Sequence, residues 1–176
     1  GDTRPEGERI SYRYPLWQLL TNAGASFEFV GGVYAGYDII PDPQDAHNEG
    51  WPGWRDDQIA ANIYNWLVAS PADIVLLHIG TNGVNSDPGQ VEDILDEVDR
   101  YEADYGMPVH VVLARIINRI SYDSTTTAFN TNILAIDNKI RILSKFEVQG
   151  LVEGIDHIHY FHFSFHFKNI SCLAFC

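Results

Sequence analysis

The sequence predicts an α/β fold, a three-layer α/β/α sandwich around a mostly parallel sheet of about five strands. Two nearly continuous apolar runs carry this prediction, residues 73–80 (DIVLLHIG) and residues 108–117 (PVHVVLARII). Such runs are typical of strands that are buried on both faces of a parallel sheet. Helical patterns alternate with these runs along the chain, which favours parallel crossovers with helices on both faces of the sheet.

Each element has a local signal of its own. Residues 14–24 predict a helix, because Pro15 suits a first helical turn and Gly24 suits a helix end. Residues 26–30 (SFEFV) alternate and predict a strand, whereas residues 33–53 are rich in Pro and Gly and predict a long loop. Apolar spacing predicts the remaining helices over residues 56–69, 88–106 and 126–146.

Composition limits the classes of function. The 176 residues suffice for one domain, and 45% of them are hydrophobic. The net charge of −13 disfavours binding to nucleic acid or to an anionic membrane surface, because both need clustered cations. No apolar run reaches the roughly 18–20 residues that a transmembrane helix needs. We therefore expect a neutral substrate, no nucleic-acid or membrane partner, and a monomer.

Four short blocks come near the predicted carboxyl ends of the strands, where ligands bind in such sheets. They are GDT (residues 1–3) before a YRYPLW helix, FVG (29–31), HNEGWPGW (47–54) and HIGTN (78–82). In this order and at these spacings they resemble the SGNH (GDSL-like) hydrolases. They look most like the branch that includes the family 3 carbohydrate esterases, the acetylxylan esterases. The resemblance covers about residues 1–145 and implies the flavodoxin-like SGNH fold.

The resemblance also implies a catalytic triad for acyl transfer. Thr3 would be the nucleophile, His159 the base and Asp156 the carboxylate that orients the base. The family has Ser where this chain has Thr3, and the extra methyl group restricts χ1 and crowds the ester carbonyl. We therefore expect weak activity, or none, from Thr3. This chain also departs from the family's Asp-x-x-His-Pro block, because Tyr160 stands where the family has proline.

An oxyanion hole is the second implied feature. It would consist of the backbone N–H of Thr3, the backbone N–H of a loop glycine and the side-chain amide of Asn82. Gly53 matches the loop glycine by motif, and Gly50 is the alternative. The aromatic side chains in the same loop have two alternative roles: they stack on the sugar rings of a substrate, or they cover the hydrophobic core. The candidate substrate contacts are His47, Trp51 and Trp54.

The histidines of the C-terminal region raise the question of a metal site. A zinc site needs three or four convergent ligands with outer partners, and no Cys or His elsewhere in the sequence is spaced to complete one. We therefore expect no metal, and the implied chemistry needs no cofactor. The histidines concerned are His157, His159, His162 and His166.

The ends of the chain are unusual for the family. We predict an SGNH hydrolase-like domain over residues 1–150 and an atypical tail over residues 151–176 that carries the candidate Asp-x-x-His. In the family a buried strand precedes the Gly-Asp-Ser block and forms the centre of the sheet, and here that strand is missing. We therefore expect a fragment whose sheet has a gap or a substituted strand at that position. Cys172 and Cys176 are expected to be free thiols in a frayed tail.

The function favoured by these inferences is the hydrolysis of small acetyl esters, as on the plant polysaccharide acetylxylan, by a secreted enzyme. Two alternatives stay open. One is an esterase for lipids or thioesters, which a long apolar groove would favour. The other is a degenerate SGNH-fold protein that binds carbohydrate with little or no activity, which Thr3 and the missing strand favour.

Overall fold

The computed structural model describes residues 4–83, 87–114 and 124–133, and the backbone of residues 169–174. The helices in these ranges are α1 (Arg13–Asn22), α2 (Asp56–Ala69), α3 (Gly89–Tyr105) and α4 (Ser124–Ile133). The strands are β1 (Glu28–Val30), β2 (Val33–Tyr34), β3 (His47–Asn48), β4 (Ile74–His78), β5 (His110–Leu113) and β6 (Asn169–Ala174). Short 3-10 turns cover Glu6–Glu8 and Pro43–Ala46.

The main sheet confirms the predicted fold class. Its strand order is β1-β6-β4-β5, and all its neighbouring strands are parallel. In the described residues it has four strands rather than about five. The apolar runs lie in the interior as predicted, since Val75 of β4 pairs with Val111 of β5 and both side chains are buried.

The two faces of β4 support the three-layer arrangement. Val75 and Leu77 belong to a core cluster with side chains of α2, α3 and α4. Ile74 and Leu76 pack instead around Phe29, together with Leu16 and other side chains of α1. Because successive side chains of a strand point to opposite faces, helices cover both sides of β4.

The centre of the sheet is occupied by a strand from the C-terminal end of the chain. β6 lies between β1 and β4, where Ile170 is the register partner of both Phe29 and Ile74. This is the substituted strand expected from the sequence. The frayed tail predicted around Cys172 is therefore wrong, because Cys172 pairs with Leu76 inside the sheet. Cys176 and the tail up to residue 168 lie outside the described residues.

The region predicted as a long loop contains a small hairpin. β2 and β3 pair antiparallel, with Val33 opposite Asn48 and Tyr34 opposite His47. The prediction of a long loop over residues 33–53 did not include this hairpin, because two-residue strands are too short to show an alternating pattern. The hairpin matters for the site, since β3 leads directly into the glycine-bearing loop.

Two buried charged side chains hold this region against α1. The guanidinium group of Arg13 donates to the carbonyls of Arg9, Ala35 and Ala46 at 2.6–3.0 Å. The carboxylate of Asp45 accepts the indole N–H of Trp17 at 2.7 Å and the backbone N–H of Phe29 at 3.2 Å. Buried charges are tolerated when hydrogen bonds satisfy them, so these two side chains fix the hairpin relative to α1 and β1.

The other predicted boundaries agree with the structure to within a few residues. α2 covers the predicted residues 56–69, and α3 ends at Tyr105. Gly106 follows it as the C-cap, and its φ of +65° suits that position. The end of the predicted helix over residues 126–146 lies outside the described residues. Of the helices that the structure does describe, none is both long and apolar enough to cross a lipid bilayer.

Candidate active site

The candidate site residues divide into two groups. Thr3, Asp156 and His159, the predicted triad, lie outside the described residues. The triad therefore stays a prediction. The loop residues and Asn82 are all described, and they lie beyond the carboxyl ends of β1 and β4, the edge where such sheets bind ligands.

The turn over residues 51–54 presents Gly53 to solvent. The N–H of Trp54 donates to the carbonyl of Trp51 at 3.2 Å, and Gly53 has a φ of +81°. Pro followed by Gly at the two central positions is the pattern of a type II turn, in which the second position needs a positive φ. An added Cβ at Gly53 would meet nothing within 4 Å. The turn therefore exposes its backbone to open space.

Asn82 lies directly against this turn. Its Nδ2 atom donates to the carbonyl oxygen of Trp54 at 3.0 Å, which uses one of the two N–H groups of the amide. The side chain of Arg55 crosses to the same segment, because a Cβ on Gly83 would lie 2.9 Å from Arg55 Cδ. The structure thus brings together Gly53 and Asn82, the two described residues that were predicted as oxyanion donors.

The other candidate glycine has a different environment. The N–H of Gly50 donates to Asn48 Oδ1 at 2.8 Å. The Nδ2 atom of Asn48 donates in turn to the carbonyls of Val33 and Ala46. The N–H of Gly50 is thus engaged within the loop, whereas that of Gly53 belongs to an exposed turn.

Glu49 connects the glycine loop to the end of β1. This side chain is only 3% exposed, and its two oxygens accept the backbone N–H of Gly32 and the indole N–H of Trp51. Burial raises the pKa of Glu49, and the two hydrogen bonds oppose that rise. The sequence analysis did not identify Glu49. Its position between Asn48 and Gly50, in a loop predicted to border the site, could have indicated a role there.

The tryptophans of the loop face one another. Trp51 stacks on Trp54 and on Trp66 of α2, with ring centroids 5.0 and 5.9 Å apart, and Trp54 and Trp66 are 5.8 Å apart. Trp51 and Trp54 also pack against the hydrophobic core. Of the two readings that the sequence left open, this geometry favours the covering of the core. Their contact with substrate stays a prediction.

His47 lies on the other side of the loop. Its Nδ1 atom is 3.1 Å from the carbonyl oxygen of Gly31 and donates to it, and its ring is 5.1 Å from that of Tyr34. The half-buried ring therefore keeps a fixed orientation at the edge of the site. Substrate contact by His47 stays a prediction.

His78 ends β4 and precedes the segment with Asn82. Desolvation by burial lowers the pKa of His78, which favours the neutral imidazole of a core histidine. Within the described ranges, no group of three or more His, Cys, Asp or Glu side chains is placed to hold a metal ion. The predicted tail histidines lie outside those ranges.

Comparison with known proteins supports the motif resemblance. No family model and no curated protein matches the chain. A family 3 carbohydrate esterase from Clostridium thermocellum superposes with a TM-score of 0.61 at 30% identity, covering 74% of this chain. A family 3 carbohydrate esterase from Talaromyces cellulolyticus superposes with a TM-score of 0.64 at 24% identity, covering 92% of this chain.

This similarity confirms the suspected relationship to SGNH-type family 3 carbohydrate esterases and the α/β fold. The chain spans 62% of the length of the Clostridium protein and 70% of the Talaromyces protein.

Proposed function

We propose that this chain, related in fold and motifs to family 3 carbohydrate esterases, hydrolyses acetyl esters on a polysaccharide such as acetylxylan. The observation that carries this proposal is the contact between Asn82 and the Gly53 turn. The Asn82 amide lies against the exposed turn that contains Gly53, near the carboxyl edge of a parallel sheet. Backbone N–H groups and side-chain amides are the donors that stabilise the oxyanion in acyl transfer.

The proposed mechanism uses the predicted triad. His159, oriented by Asp156, takes the proton of the Thr3 hydroxyl as this attacks the ester carbonyl. The carbonyl oxygen gains negative charge, and the N–H groups of Gly53 and Asn82 stabilise it together with the N–H of Thr3. His159 then gives its proton to the sugar oxygen as the ester C–O bond breaks, so the sugar leaves as its free hydroxyl and the acetyl group stays on Thr3. In the second step His159 takes a proton from water, which attacks the acetyl group, and returns that proton to the Thr3 oxygen as acetate leaves.

The environment of the two glycines supports Gly53 as the loop donor. The N–H of Gly50 is engaged by Asn48 Oδ1, so it would have to leave that bond to reach an oxyanion. Gly53 instead lies in an exposed turn, where an added Cβ would meet nothing within 4 Å. A plant polymer would be deacetylated outside the cell, in accord with the predicted secretion.

The proposal is tested by hydrolysis of a chromogenic acetyl ester with the purified protein and three variants. Thr3→Ser should raise the rate about 100-fold, because it removes the methyl group that misplaces the ester. His159→Ala should abolish hydrolysis, and Asn82→Ala should lower it roughly 10²–10³-fold. Hydrolysis by the parent protein and by Thr3→Ser at the rate of buffer alone would refute the proposed activity.

A further inference from the structure

The arginine that precedes α2 forms an ion pair with a carboxylate of the same helix. The Nε and Nη2 atoms of Arg55 lie 3.1 and 2.8 Å from the two carboxylate oxygens of Asp57, so the contact is bidentate. The side chains of Arg55 and Asp57 are 54% and 40% exposed. Exposed ion pairs contribute little to stability, so the main effect of this pair is on the segment that it contacts.

That segment is the turn after β4. The aliphatic part of Arg55 lies over Gly83, because a Cβ on Gly83 would lie 2.9 Å from Arg55 Cδ and 3.6 Å from Arg55 Cγ. Gly83 has a φ of +72°, which suits glycine, the residue with the greatest backbone freedom. A turn that contains such a residue keeps one position only if a contact from outside restrains it, and Arg55 makes such a contact.

The restraint includes the neighbouring residue Asn82. Trp54 accepts a hydrogen bond from Asn82 Nδ2 at 3.0 Å, and Arg55, the next residue, covers Gly83. The carbonyl of Arg55 accepts the backbone N–H of Ile59 at 3.2 Å, so both contacts come from the fixed end of a helix. Asn82 is therefore restrained twice, through its own amide and through the backbone of the residue that follows it.

We propose that the Arg55–Asp57 pair is a positioning element that holds the Asn82 amide at the place where the oxyanion forms. This inference rests on the proposed function, because Asn82 is an oxyanion donor only in that reaction. A misplacement of about 1 Å can lower a rate about 100-fold. Because the pair acts through Asn82 and the transition state, its loss should lower kcat and leave KM unchanged.

Solvent exchange of the Asn82 side-chain amide, followed by NMR spectroscopy of the isotope-labelled full chain, measures this positioning without requiring catalysis. The spectrum of Asn82→Ala identifies the resonances by their absence. Arg55→Ala and Asp57→Ala should each speed the exchange several-fold, because the hydrogen bond to Trp54 then opens more often. Both substitutions are at exposed side chains, so urea unfolding should give a midpoint close to that of the parent.

Hydrolysis of the chromogenic acetyl ester tests the consequence for catalysis. Arg55→Ala should lower kcat about tenfold, less than the roughly 10²–10³-fold expected for Asn82→Ala, because the hydrogen bond from Asn82 to Trp54 can still form. In the Asn82→Ala background, Arg55→Ala should have no further effect, because the amide that it positions is already gone.

Arg100→Ala is the matched control. The side chain of Arg100 is also 54% exposed and pairs with Glu97 at 2.8 Å, but it belongs to α3 and lies outside the candidate site. Its replacement should leave the exchange of the Asn82 amide, kcat and KM unchanged.

The outcomes separate this inference from the proposed function. The positioning role is overturned if Arg55→Ala or Asp57→Ala leaves the exchange of the Asn82 amide at the parent rate. It is also overturned if Arg55→Ala raises KM at unchanged kcat, since Arg55 would then contact the substrate itself. Faster exchange in both variants of a parent protein that does not hydrolyse the ester contradicts the proposed activity and supports the positioning of Asn82.

Discussion

Replacement of Glu49 by glutamine tests whether this carboxylate holds the glycine loop in place. One carboxylate oxygen accepts the N–H of Gly32, and the other accepts the indole N–H of Trp51 at 3.0 Å. Glutamine has the same shape, but it has one accepting oxygen and one donating nitrogen. One of the two N–H donors would therefore face an NH₂ group in a buried position.

The size of the effect follows from these contacts. A buried donor without a partner costs about 1–3 kcal/mol. Glutamine also removes the cost of burying a charge, which is the largest cause of the raised pKa of Glu49. We therefore expect Glu49→Gln to lower the free energy of unfolding by about 1–2 kcal/mol. Loss of the Trp51 contact would also loosen Gly53, and a misplacement of about 1 Å can lower a rate about 100-fold.

Urea unfolding followed by tryptophan fluorescence measures the first effect, and kcat/KM for a chromogenic acetyl ester measures the second. Glu102→Ala is the control for a loss of stability outside the site. Glu102 Oε1 accepts the backbone N–H of Val109 at 2.6 Å, between α3 and β5 and outside the candidate site. Alanine leaves the N–H of Val109 without this acceptor, so the variant should lose stability and keep the parent kcat/KM.

Two results would refute the reasoning about Glu49. The first is a Glu49→Gln variant that unfolds at the same urea concentration as the parent, since a buried donor would then have lost its partner at no cost. The second is an equal drop in kcat/KM for Glu49→Gln and Glu102→Ala, which would show a general effect of lower stability.

Three further predictions concern the glycine turns and the titration of Glu49. Gly53→Ala should cost about 1 kcal/mol of stability, since its φ is +81° and its surroundings are open, and should lower ester hydrolysis. Gly106→Ala is the control, because Gly106 also has a positive φ of +65° and open surroundings. In parallel urea-unfolding and ester-hydrolysis assays, this variant should lower stability and leave hydrolysis unchanged. Gly80→Ala should cost more, about 2–4 kcal/mol in urea unfolding, because its Cβ would lie 2.6 Å from the ring of Phe129; a cost equal to that of Gly106→Ala would contradict this packing. Burial raises the pKa of Glu49 above its ordinary 4.5, so the folded state binds the proton more tightly than the unfolded state does. The stability of the parent relative to Glu49→Gln should therefore be greatest below pH 4.5 and fall as pH rises through the folded-state pKa. Urea unfolding of both proteins across a pH series measures this difference. A difference in stability that increased with pH would contradict the prediction.

The candidate site was only partly accessible to sequence reasoning. Gly53 and Asn82 were predicted as oxyanion donors from the motifs of the resemblance, and the structure has Asn82 in contact with the turn that contains Gly53. Glu49 and Arg13 were not found as structural anchors, since their roles depend on N–H and carbonyl groups that are distant in sequence.

The sequence by itself determined the class of fold and the main helices and buried strands, though not the hairpin of β2 and β3 or strand β6. The apolar run that became β4 and the amphipathic pattern of α2 are local signals, and burial on both faces of a strand follows directly from such a run. Tertiary structure alone decided that residues 169–174 form the centre of the sheet between β1 and β4. Strand order depends on hydrogen bonds between segments far apart in the chain, and any apolar segment of adequate length can satisfy the edges of its neighbours.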